Sequence, residues 1–292
     1  VSTSVVAPVV TPVVAPVVPL HVLGTDVDIR VGGADPEPLA STLRTRWHLC
    51  LRDTDAPATE EPPAVVEAAL RHVDAPDLPG PTPPARFSTV VTDADERRLL
   101  QRVTQAVTYA AIGARSGELL MLHAAALAHP GTGATAAFVA PGNTGKTTLC
   151  RTHGPGRAYV TDETVGVRRD GTVTPYPKPL STRRADWLGV KDEQAPGDLG
   201  LRGPAVQPWL AGIVLLRRDG TRTGPAEVEE LDLLDAVLAI TPESSAFMTT
   251  EAPLQWLSDV LGRTGGALRV TYSEVSELAD LVEEICGRAS PW

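Results

Sequence analysis

Ala140-Pro141-Gly142-Asn143-Thr144-Gly145-Lys146-Thr147 is the segment from which the rest of this 292-residue chain is read. It fits the phosphate-binding loop (P-loop) pattern, with Ala140 in place of the usual first Gly. Ala134 to Val139, just before it, is a short apolar run suited to a buried strand, and Thr148 to Thr152 can start a helix. Strand, loop and helix in that order aim a row of backbone N–H groups at one point. Gly142 and Gly145 let the loop curl without Cβ clashes. In this reading Lys146 places an ammonium on the outer phosphates and the Thr147 hydroxyl ligates Mg²⁺, while Asn143, Thr144 and Thr148 complete the cradle. Of 26 basic residues only Lys146, Lys178 and Lys191 are Lys, and one of these sits in the loop.

Composition narrows the class. A hydrophobic content of 42% is that of a globular chain, and a formal charge of −10 argues against a general nucleic-acid or anionic-membrane binder. Cys50, Cys150 and Cys286 are odd in number and far apart, which suits neither a disulfide framework nor a metal site and points to a cytoplasmic setting. Val1 fits a GTG start codon read literally or a trimmed start.

Three regions are expected. Residues 1–19, with Pro at 8, 12 and 16, read as a disordered Pro-rich tail, and this segment is neither a membrane span nor a signal peptide. Residues 20–90 read as a small α/β module, with strands over Val22–Val31 and Trp47–Leu51, a helix over Pro38–Thr45 and a helical patch at Ala64–His72. Residues 53–85 are rich in Pro, Asp, Ala and Thr and read as a loop-rich linker. Residues 91–292 read as a catalytic domain. There, Thr92 to Asp95 caps a long helix with Leu99, Leu100, Val103 and Val107 on one stripe, followed by a strand over Leu119–Ala128. After the loop come a strand at Ala158–Thr161, a hairpin around Asp170-Gly171, and a Gly-, Asp- and Pro-rich mobile loop at 189–205. A strand at Trp209–Arg217, helices at Leu231–Ile240 and Pro253–Leu261, a strand at Leu268–Tyr272 and a helix at Ser273–Cys286 close the chain.

A nucleotide loop needs a carboxylate to hold its metal and usually a second to meet the acceptor. Asp162-Glu163 supplies both at the end of the strand that follows the loop helix. Asp170 competes, but its place beside Gly171 marks a turn. His123 stands in Leu122-His123-Ala124-Ala125; taken alone, a His in an apolar strand reads as a core residue.

The ordered set Leu122-His123-Ala124-Ala125, Gly142 to Leu149, Tyr159 to Glu163 and Val173 to Leu180 resembles the HPr kinase/phosphorylase family. The likeness is greatest to its short relatives encoded near ribosomal peptide natural-product genes, and it covers roughly residues 119–185. The resemblance implies an α/β fold, a P-loop mixed sheet of the HPr kinase and phosphoenolpyruvate carboxykinase type, beside the small N-terminal module. It also implies ATP and Mg²⁺ as cofactors and phosphoryl transfer to a hydroxyl. By position, His123 partners the catalytic acid, Asp162 is the base toward the acceptor and Glu163 is associated with the metal, although Glu in the second place allows the two roles to be exchanged. Thr148 stands where the bifunctional enzymes carry an acid, and 189–203 lacks their Gly-rich signature, so no phosphorolysis is expected.

Two functions follow as expectations. One is an ATP-dependent kinase acting on a Ser or Thr hydroxyl of a peptide or protein, or on a small metabolite, with Asp162, His123 and Lys146 catalytic and Thr147, Glu163 and Asp162 around the metal. The other is a nucleotide-dependent binding or assembly protein whose loop is a switch. The expected partners are a nucleotide and a hydroxyl-bearing acceptor, with no nucleic acid or membrane and with homo-oligomerisation left open.

Overall fold

The computed structural model describes residues 15–53, 61–70 and 87–289. Residues 1–14 of the Pro-rich tract and most of the 53–85 segment lie outside the described residues. Strands β1 (Val17–Val22), β2 (Thr25–Gly32), β3 (Ala64–Leu70) and β4 (Ser88–Asp93) form a four-stranded sheet in chain order. The first pair is antiparallel and the other two are parallel. Helices α1 (Glu37–Arg46) and α2 (Glu96–Ala114) pack their apolar stripes into one core with it, through Leu39 and Leu43 and through Leu99, Val103 and Val107. The Asp95 carboxylate caps α2 by accepting from the Arg98 N–H at 3.1 Å.

This region departs from the sequence reading in four places. Val17 to Pro19 belong to β1, not to a tail, because Val18 is fully buried. A turn at Leu23-Gly24, both with positive φ, divides the strand expected over Val22–Val31. Trp47 to Leu51 is not a strand: His48–Cys50 is a 3₁₀ turn that seats Trp47 against Tyr176, with ring centroids 6.4 Å apart. Ala64 to Leu70 is a strand rather than a helix. It lies between β2 and β4 with five of its seven residues buried, and flanking strands on both edges outweigh the helical preference of its alanines.

The second sheet uses β5 (Leu120–Ala128), β6 (Ala134–Val139), β7 (Ala158–Thr161), β8 (Thr164–Val167), β9 (Val173–Thr174), β12 (Trp209–Arg218), β13 (Glu227–Leu231), β14 (Ser244–Ser245) and β15 (Ala267–Tyr272). Its path is β13-β15-β12-β6-β5-β8-β9, and β7 and β14 also pair with β5. β12 runs parallel to β6 and β15, and the remaining pairs are antiparallel, so the sheet is mixed. Strands β10 (Leu180–Arg183) and β11 (Lys191–Gln194) form a separate antiparallel hairpin. β11 and a 3₁₀ turn at Pro196–Leu199 thus occupy much of the tract expected to be a mobile loop. Helices α3 (Lys146–His153), α4 (Leu233–Ile240), α5 (Pro253–Thr264) and α6 (Ala279–Cys286) cover the sheet. The closing helix is broken: Val275–Leu278 is 3₁₀, stapled by a reciprocal capping box between Glu274 and Glu277. Among the described residues no helix is long and apolar enough to cross a membrane.

Strand alternation on β5 places the site. Leu120, Leu122, Ala124, Ala126 and Ala128 point into the core that holds Ile240 of α4 and Leu257 of α5. On the opposite face Met121 joins the N-terminal core, while Ala125 and Leu127 join the core under α3 and α6. His123 falls between Met121 and Ala125 on that face, at the seam where the two cores meet.

Candidate active site

β5 changes partner on both edges beside His123. On one edge β6 pairs with Ala124–Ala128 and β14 with Met121–Leu122. On the other, β7 pairs with Ala126–Ala128 and β8 with Leu120–His123, and the break between β7 and β8 holds Asp162-Glu163. The Ala124 N–H donates to the Glu163 carbonyl at 3.0 Å, and the Ala140 N–H to the His123 carbonyl at 3.3 Å. One strand therefore carries the start of the 140–147 loop on one side and the acid pair on the other.

The loop is held from three directions. Asn143 and Gly145 have φ of +70° and +102°, and the second is the left-handed residue from which α3 starts. The Tyr272 hydroxyl of β15 donates to the Thr144 carbonyl at 2.6 Å, and Arg183 of β10 donates to Asn143 Oδ1 at 2.7 Å. Lys146 is buried and folds its ammonium back onto the Ala140 carbonyl and, at 3.0 Å, onto the Pro141 carbonyl. Burial lowers its pKa to about 8, against the opposing pull of Glu243, Asp162 and Glu163.

The two acids differ in environment. Asp162 is almost wholly buried; its Oδ2 accepts from the Thr147 hydroxyl at 2.7 Å, and its Oδ1 accepts from the Tyr159 hydroxyl at 3.1 Å and from Lys178 Nζ at 2.9 Å. Glu163 keeps 31% of its side chain exposed and meets Lys178 Nζ through Oε2 at 3.2 Å. Lys178 is itself buried, and its third proton goes to the Pro179 carbonyl at 2.9 Å. Burial pulls the Lys178 pKa down, but Asp162, Glu163 and Glu193 together outweigh it and hold the ammonium well above its usual value. For His123, burial and then the Lys146 charge press the imidazole below its ordinary pKa, with Glu163 and Glu243 opposing, so it is neutral at pH 7.

These groups line one cleft of about 420 Å³. His123, Gly142, Asn143, Gly145, Lys146, Thr147, Thr148, Asp162 and Glu163, named from the sequence, all reach its wall, and Thr144 shapes the loop through its backbone. Asp162 spends its hydrogen bonds on Thr147, Tyr159 and Lys178 rather than on His123. The sequence reading missed Lys178, which ties the two acids together, and the wall residues Ser181 and Lys191. A signal for both lysines was present. The chain has three Lys against 23 Arg, and all three line this cleft.

Replacing Lys178 leaves buried carboxylate charge uncompensated. Lys178→Met is expected to lower stability by about 3 to 5 kcal/mol. Adding Asp162→Asn to it is expected to recover part of the loss. Urea unfolding of the two variants checks this; a Lys178→Met variant as stable as the parent would contradict the role of Lys178 as counter-ion.

No protein-family model and no curated protein matches this chain. Among solved structures it is similar to the Hpr(Ser) kinase/phosphatase from Coxiella burnetii, at 13% identity and a TM-score of 0.28, over 56% of this chain and 92% of that one. A likeness this slight assigns no activity.

Proposed function

We propose that the cleft binds the magnesium complex of ATP and transfers its terminal phosphoryl group to a hydroxyl acceptor. The observation that carries this reading is the convergence of Lys146, the Thr147–Asp162 hydrogen bond and the Lys178-bridged acid pair on one cleft at the start of α3. The donor set fits Mg²⁺: a hydroxyl and a carboxylate whose oxygens lie 2.7 Å apart are hard ligands, and phosphate oxygens and water complete such a shell. Bound there, the metal supplies neutralisation of charge on the phosphates.

The chain's own groups divide the remaining work. Backbone N–H groups of the loop and the α3 N-terminus receive phosphate oxygens. Lys146 leaves the Ala140 and Pro141 carbonyls and turns to the outer phosphates, so the loop exchanges an internal bond for a ligand bond. Asp162, bonded to Thr147 and almost fully enclosed, serves the metal side. Glu163, more exposed and close enough to His123 to influence its charge, faces the acceptor, orients its hydroxyl and takes its proton late in transfer. This exchanges the two acid roles that the family resemblance implies by position. Lys178 bridges both carboxylates and fixes their positions, as preorganised transition-state binding requires.

The test is incubation of the full chain with γ-labelled ATP, Mg²⁺ and a panel of Ser- and Thr-containing peptides and small alcohols. Label in an acceptor supports the kinase reading; ATP binding with label recovered only as free phosphate favours the switch. Thr147→Ala is expected to raise the Mg²⁺ concentration needed for half-maximal turnover several-fold, because it removes one hard ligand. Overlaid Mg²⁺ titrations of variant and parent would contradict the metal assignment.

A further inference from the structure

The β10–β11 hairpin carries a hydroxyl–carboxylate pair that the reaction above does not use. Ser181 and Glu193 are direct cross-strand partners in its register. The Ser181 hydroxyl lies 2.8 Å from Glu193 Oε1 and 3.0 Å from Oε2, so its single proton is shared toward one carboxylate. Glu193 is 3% exposed and sits behind the serine, whereas Ser181 is half-buried and reaches the cleft wall alongside Lys146, Thr147, Asp162 and Lys178. A serine hydroxyl is a weak nucleophile until a base stands within hydrogen-bond reach, and Glu193 holds that place here.

We propose that Ser181 is an internal phosphoryl acceptor, modified in cis by the nucleoside triphosphate bound in the same cleft, with Glu193 as its general base. This rests on the nucleotide-binding reading of the cleft. Ser181 Oγ forms a bond to the terminal phosphorus as the bond from that phosphorus to the bridging oxygen breaks. The hydroxyl proton passes to Glu193, and the nucleoside diphosphate leaves with the bridging electron pair. The product is phosphoserine on β10, three residues from Lys178. Its added negative charge stands in the cleft among the lysines.

The state of Glu193 agrees with the task. Burial raises its pKa to about 7, opposed mainly by Lys178 and by the Ser181 hydroxyl, with Asp162 adding to the rise. Facing it are the Ser181 hydroxyl on β10, Thr104 of α2, and the Lys178 and Asp162 charges. Lys178 stays protonated across neutral pH, so of these two neighbours it is Glu193 that titrates near pH 7. The base form grows as pH rises, so modification accelerates from pH 6 through pH 7, and loss of the Lys146 proton opposes it above about pH 8.

The experiment is intact-mass and peptide-mapping spectrometry of the full chain after incubation with MgATP, run beside a calorimetric ATP-binding titration. The expected result is one added phosphoryl group on Ser181, at a first-order rate independent of protein concentration. Ser181→Ala is expected to remove it, Ser181→Thr to retain it, and Glu193→Gln to slow it on the order of 10²-fold and flatten its pH profile. Modification at another residue, or persisting in Ser181→Ala, overturns the proposal. ATP binding without any modification overturns it and leaves the kinase reading standing, with Ser181 only a partner for a buried carboxylate. Absence of ATP binding overturns both.

Discussion

Lys146→Ala is expected to reduce ATP turnover on the order of 10²- to 10³-fold, the loss seen when one preorganised charge-stabilising donor is removed from a water-poor site. The substitution takes away the ammonium that stands buried at the loop–helix junction, where burial has already weakened its hold on the proton. In the free protein that ammonium closes the loop on the Ala140 and Pro141 carbonyls. The variant therefore also loses two internal hydrogen bonds, worth about 1 kcal/mol each in stability, with bonds from a charged donor at the upper end. Thermal unfolding separates this small cost from the functional loss. A folded Lys146→Ala chain with parental affinity and turnover would remove the loop from the account.

The acid pair gives the second large effect. Glu163→Gln is expected to bind MgATP at near-parental affinity while transfer falls on the order of 10²- to 10⁴-fold, the range for a residue that accepts the acceptor's proton. Asp162→Asn is expected to act earlier. It replaces the carboxylate that meets Thr147, Tyr159 and Lys178, so it raises the Mg²⁺ requirement and weakens MgATP binding before transfer is reached. His123→Ala is expected to lose less than Glu163→Gln, and the double variant less than the product of the two, since Glu163 influences the charge of the imidazole and the two act as a unit. Equilibrium binding and single-turnover rates on the three variants check this. The reverse pattern, with Asp162→Asn binding normally but inactive and Glu163→Gln unable to bind, would restore the roles implied by family position.

What was legible in the sequence was local. The Ala134–Val139 strand and the helix beginning at Lys146 follow from an apolar run, a glycine hinge and a helix start within twenty residues. The same holds for Asp162-Glu163, which closes a four-residue buried strand. What was hidden depends on partners distant in sequence. Lys178 lies in a Pro-rich exit that reads as featureless, and only folding sets its ammonium between Asp162 and Glu163. Ala64 to Leu70 carries helix-favouring alanines, yet its two Val and its place between β2 and β4 make it a strand. β11 arises in a loop-like tract because β10 offers it an edge, and that pairing sets Glu193 against Ser181.

Calorimetric titration of MgATP into the full-length chain tests the central claim most directly. The account predicts one binding event per chain, lost when Mg²⁺ is withdrawn and sharply weakened by Lys146→Ala. A folded parent chain that takes up no ATP at millimolar concentration in the presence of Mg²⁺ would contradict it.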